Sequence, residues 1–136
     1  MAAPSDPPAP AGEAGFVRFV GYRGPGQGRI GFFTLAQAAL DGHWLPPTQH
    51  AELAELIDWF AHHMLDPAAI IGHPALLAQS WFRTDTPACV DRCRHVALLL
   101  SLTGCEIAEL VTDRPGHVIY EDGLQVVAVP YAATPR

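Results

Sequence analysis

The chain has 136 residues, a mass of 14.6 kDa, hydrophobic side chains at 49% of positions and a net charge of −6 from eight basic and fourteen acidic residues. That length fits one domain with one core, and the apolar content excludes a disordered chain, a fibre and a disulfide-stapled mini-protein. The negative balance repels a nucleic-acid backbone overall and disfavours nucleic acid as a partner.

All eight basic residues are arginine, which, with the many Ala, Pro and Gly residues, reads as GC-rich coding and a bacterial source. Protonating the seven histidines would carry the net charge from −6 to +1. Charge-driven loss of solubility is therefore expected at about pH 5 to 6, where net charge passes near zero. No apolar run reaches the roughly 20 residues that span a bilayer; the longest, Val96-Ala97-Leu98-Leu99-Leu100, stops early. No membrane partner is expected.

Residues 1–15 hold Pro4, Pro7, Pro8 and Pro10, several alanines, and only Asp6 and Glu13 as charges. They lack the basic start and continuous apolar core of an export signal. The expectation is a flexible Pro/Ala-rich tail, a single α+β domain over 16–136, and a cytoplasmic setting. Phe16-Val17-Arg18-Phe19-Val20 and Arg29-Ile30-Gly31-Phe32-Phe33 are β-rich and flank a Gly- and Pro-rich stretch, a pattern that predicts an N-terminal hairpin. The Gly21–Gly31 loop, with Arg23 and Arg29, also invites reading as an anion cradle. It lacks the Gly-Lys-Ser/Thr ending of a P-loop and the glycine spacing of the dinucleotide fingerprint. A short helix is expected from Thr34 as N-cap through Leu40, ending at Gly42.

The spacing of Leu53, Leu56, Ile57, Phe60 and Met64 predicts a long amphipathic helix over about 48–65, capped by Thr48 and stopped by Pro67, with a buried stripe about 100° wide. Asp58 and His62 fall on its wet face, while Trp59 and His63 share one edge of the stripe. Ser80-Trp81-Phe82-Arg83 reads as a short strand with Trp81 and Arg83 on one side and Phe82 on the other. Thr86-Pro87 opens a second helix over about 87–103, with Gly104 as its stop. Its stripe is Val90, Cys93, Val96, Ala97 and Leu100. Leu98, Leu99 and Leu102 lie outside it, which suits a central helix or an oligomer interface.

Cys89, Cys93 and His95 tempt a metal or thiol-catalysis reading. On a helix the two cysteines lie about 40° apart in the apolar stripe, and His95 points roughly the other way. They cannot converge, so no metal, no cofactor and three reduced thiols are expected. A reactive Cys89 in the first helical turn, near Arg92, is the minority reading.

Residues 105–112, 118–120 and 124–129 read as a C-terminal three-stranded antiparallel meander. Pro115-Gly116 suits a type II turn and Asp122-Gly123 a type I′ hairpin. Apolar residues on both faces of the last strand require cover on both sides, the second supplied by the N-terminal hairpin or another subunit. The expected fold is this meander plus the N-terminal hairpin, packed against two main helices.

No serine sits in a nucleophile elbow. The pattern therefore favours a small non-catalytic binding or interaction protein, taking a protein partner or a small anionic ligand, and self-associating as a homodimer. Candidate ligand-binding residues are Trp81, Arg83, Arg92, Arg114 and Tyr120, with the arginine forks suited to carboxylate or phosphate. The competing account of each arginine is a surface ion pair. The alternative function is a small enzyme with an arginine-lined or Cys89-based pocket between sheet and helices.

Overall fold

The computed structural model describes residues 15–24, 28–65, 69 and 78–135. The expected tail therefore lies outside the described residues except for Gly15, as do residues 25–27 of the glycine-rich loop and Pro67. Six strands and three helices appear among the described residues: β1 (Phe16–Tyr22), β2 (Ile30–Gly31), α1 (Phe32–Asp41), α2 (Pro47–His63), β3 (Gln79–Arg83), α3 (Pro87–Ser101), β4 (Glu106–Thr112), β5 (His117–Glu121) and β6 (Gln125–Val129). This is the expected α+β class, with every strand pair antiparallel.

The aromatic and β-branched run of β1 makes it the organising strand. One edge pairs along its whole length with β4, from Phe16↔Thr112 to Tyr22↔Glu106. The other edge is shared. β2 takes Val20 and Gly21, β3 takes Phe16 and Val17, and Arg18 and Phe19 between them have no strand partner on that side among the described residues. β3 then pairs with β6 and β6 with β5. Of the three C-terminal strands, β5 and β6 form the expected hairpin, while the partner of β4 is β1 and not β5. The short linker explains the difference, because it does not fold back as a hairpin turn. It carries the chain from one end of the strand order to the other, through a Gly116 at φ +131°.

That linker also fixes the shape of the sheet. Five Cα steps reach at most about 18 Å, and crossing four flat strand spacings takes about 19 Å. The linker is not extended, since the Arg114 N–H donates to Thr112 Oγ1 at 3.0 Å. The sheet must therefore curl until its edges approach.

Helices cover one face. Val17, Phe19 and Phe82 pack there with Leu35, Leu53, Phe60, Val96 and Leu100. A side chain at Gly21 would collide with Leu35, so glycine lets α1 lie close on β1. Strand alternation sends Arg18, Val20, Trp81, Val126 and Ala128 to the opposite face, and the last four are at most 1% exposed. Both faces of β6 are therefore buried, as its two-sided apolar pattern required, but the N-terminal hairpin expected to cover the second face is itself part of the sheet.

Local signals placed the helices but not their caps. α2 starts at Pro47 with Pro46 as its N-cap position, and α1 starts two residues before Thr34. Neither Thr48 nor Thr34 caps, because proline and the strand ending at Gly31 set those starts. Thr86 is the N-cap position of α3, yet its hydroxyl turns back to donate to the Arg83 carbonyl at 2.6 Å. Gly104, at φ +88°, follows the end of α3 as expected. The Asp122-Gly123 turn is not type I′, since neither residue has positive φ. The Asp122 carboxylate instead accepts from the Leu124 and Gln125 N–H groups, an Asx turn that fixes the loop by side chain.

Candidate functional site

The five sequence candidates do not converge. Arg83 is held by Asp85 at 3.3 Å and Glu121 at 3.6 Å. The hydrogen bond and charge of Asp85 keep its guanidinium above the ordinary arginine range. Tyr120 Oη, near the same end of β5, donates to Asp122 Oδ2 at 2.8 Å. Arg92 lies elsewhere, with its guanidinium 4.3 Å over the Trp59 ring and one N–H given to the Ala88 carbonyl. Trp59 also stacks on His63 at 4.2 Å. Arg114 stands before the other end of β5, on a cavity of about 480 Å³ shared with Thr112, Asp113, Tyr131, Ala133 and Thr134. Trp81 is fully buried. Arg83 is thus ion-paired, Arg92 makes a cation–π contact, and Arg114 lines a cavity.

The cysteines lie as helical geometry dictates. Cys89 and Cys93 are buried and free, as is Cys105. A hydrogen bond from Cys93, joined by the Arg92 charge, holds the Cys89 thiol below its ordinary pKa against the opposing effect of burial. Burial, then the Cys89 neighbour, pushes Cys93 up. His95 is on the other side of the helix, 3.2 Å from Glu52. Cys89 has no exposed surface in this structure. Nor do the described residues gather three or more His, Cys, Asp or Glu side chains to hold a metal ion. No helix among them is long and apolar enough to cross a membrane.

Two features escaped the sequence reading. The first is an open edge. β4 pairs only with β1 among the described residues, and none of its seven residues is buried. Arg94 of α3 reaches over to Glu109 of β4 at 3.2 Å. One and two turns beyond Arg94, Leu98 and Leu102 are 61% and 62% exposed, and Val111 on β4 is 51% exposed. Leu99 and Leu100 are buried instead, so the all-round apolar half of α3 serves the core with one side and presents a ridge with the other.

The second is a set of buried polar atoms without partners: Arg18 Nε, Gln79 Oε1 and Trp81 Nε1 on the face away from the helices, and His50 Nδ1 elsewhere. Arg18 keeps one hydrogen bond, from Nη1 to the Ser80 carbonyl at 3.3 Å. Burial first, and the neighbouring Arg29 charge second, hold its guanidinium below the usual arginine range. The visible signal was a charged residue inside an apolar strand, on the same face as Val20.

No protein-family model matches the chain, and no curated protein or solved structure matches it.

Proposed function

We propose that this is a non-catalytic interaction protein whose β4 edge docks a second copy of the chain. The observation that supports this most is the unbroken seven-residue edge of β4, flanked by the Leu98–Leu102 ridge. Such edges carry rows of free backbone donors and acceptors and are normally blunted by proline, lysine or a bulge. β5, the other edge, has a register break between Val118 and Tyr120. β4 has no such break.

A two-fold axis at Glu109 makes the strand self-complementary. Ile107 then faces Val111 of the partner subunit, Ala108 faces Leu110 of the partner subunit, and each Glu109 arrives already paired with its own Arg94. The Leu98–Leu102 ridges of both copies would lie beside the joined strands. Three free cysteines suit the reducing, cytoplasmic setting of this reading. Small-anion binding is the second reading, favoured by Arg114 on its cavity.

Sedimentation over a wide concentration range tests the docking. The dimer should persist in the parent protein, and the double variant Leu98→Glu, Leu102→Glu should be monomeric with an unchanged melting temperature. A parent that stays monomeric throughout overturns the reading.

A further inference from the structure

The sheet opens where β3 leaves β1. Pairing runs through Phe16↔Arg83 and Val17↔Phe82 and then stops. Continued by one step, that register sets Trp81 across from Arg18. Instead of a ladder bond there, the Arg18 guanidinium crosses the opening to the Ser80 carbonyl. Neither side chain is fully satisfied: Arg18 Nε and Trp81 Nε1 are buried donors without acceptors, and Trp81 has no exposed surface.

Charge sharpens the deficit. No described carboxylate pairs with Arg18, and Arg29 adds a second cation nearby. Arg29 precedes Ile30, which faces Gly21 in the β1–β2 register, so alternation turns Arg29 to the same face as Arg18. Arg29 is exposed and gives that side of the opening access to solvent. A half-buried guanidinium without a counter-charge is costly, and native structures normally pair it.

We propose that the opening between β1 and β3 binds a phosphate-class dianion, free or as the end of a phosphomonoester, through Arg18, Arg29 and the Trp81 indole N–H. Two guanidinium groups balance two negative charges, where a carboxylate would balance one. Gln79 Oε1, the unpartnered acceptor two residues along β3 on the same face, accepts a hydrogen bond from the hydroxyl of hydrogenphosphate, a group that a monoester dianion lacks. This site is independent of the docking edge, which lies on the opposite side of β1.

Indole N–H resonances in an amide proton–nitrogen spectrum read the site directly. The chain has three tryptophans, and Trp81→Phe assigns the resonance of interest. Inorganic phosphate, titrated against chloride at constant ionic strength, should shift the Trp81 resonance saturably. Arg18→Met should weaken binding about 10- to 100-fold, and the exposed Arg29→Ala about tenfold, as expected for lost charged hydrogen bonds. Glycerol phosphate saturating as well assigns the monoester end, whereas saturation by inorganic phosphate alone assigns the free ion. Acetate should saturate only at much higher concentration. A Trp81 resonance that does not respond, an equal response to acetate, or unchanged affinity in folded Arg18→Met would overturn the proposal.

Discussion

Without anion, Arg18 should make the protein less stable than an apolar side chain would. In Arg18→Met the methionine keeps the packing of the stem and removes the guanidinium. What is lost is one long hydrogen bond to the Ser80 carbonyl, about 1 kcal/mol net. What is recovered is the desolvation of a charge that no described acid compensates; replacing buried ionic groups by apolar ones gains about 1–4 kcal/mol. Arg18 is only partly buried, so the net gain is taken as about 1 kcal/mol, which raises the melting temperature by about 3–4 °C in a domain of this size. Phosphate reverses the order. At a hundred times its dissociation constant a ligand stabilises the parent by about 2.7 kcal/mol, and the variant, binding about 10- to 100-fold more weakly, gains only about 0.4–1.4 kcal/mol. Calorimetry in anion-free buffer and in saturating phosphate should therefore show the two melting temperatures crossing. If Arg18→Met is clearly the less stable protein without phosphate, Arg18 is already compensated and the reasoning fails.

The Asx turn makes an acid-limb prediction. Burial raises the Asp122 carboxyl, but the Leu124 N–H, the Tyr120 hydroxyl and the Gln125 N–H outweigh it and hold the group below its ordinary value. A depressed folded pKa adds stability that is complete above the unfolded value of about 3.9 and lost as pH falls through the folded one. The stability gap between parent and Asp122→Asn in denaturant unfolding should therefore shrink below about pH 4, and a gap independent of pH would contradict the account. At Gly116, φ is +131° and an added Cβ would collide with the Val129 carbonyl. Gly116→Ala should cost more than about 2 kcal/mol from strain and overlap together, read as a lowered denaturation midpoint; a midpoint within error of the parent would refute the packing.

The helices were legible because their signals are local. A 3.6-residue stripe buries Leu53, Leu56 and Phe60, and the same geometry sent Cys89 and Cys93 inward and His95 out to Glu52. Strand identity was legible for the same reason. Strand partnership was not, because the pairing of β4 with β1 joins residues about ninety positions apart and nothing local in 106–112 specifies it. The candidate arginines do not converge for a related reason: Arg83 meets Asp85 within its own turn, because an abundant residue type readily finds acids nearby.

Arg18 differs from those arginines in where the sheet places it. The strand that would close the β1 edge is divided between β2 at Val20 and Gly21 and β3 at Phe16 and Val17. The division arises because α1 begins at Phe32, directly after the two-residue β2, so β2 cannot run on to cover Arg18. β3, which pairs with β6 along Gln79–Phe82, follows that partner and leaves β1 after two pairs. A lysine in this position would present one rotating point charge. The planar guanidinium instead spends one N–H on the Ser80 carbonyl and keeps its Nε–H without a partner. An apolar residue here would let the two sheet segments close by packing, so the charge is explained by what it can hold in the gap better than by what it adds to the fold.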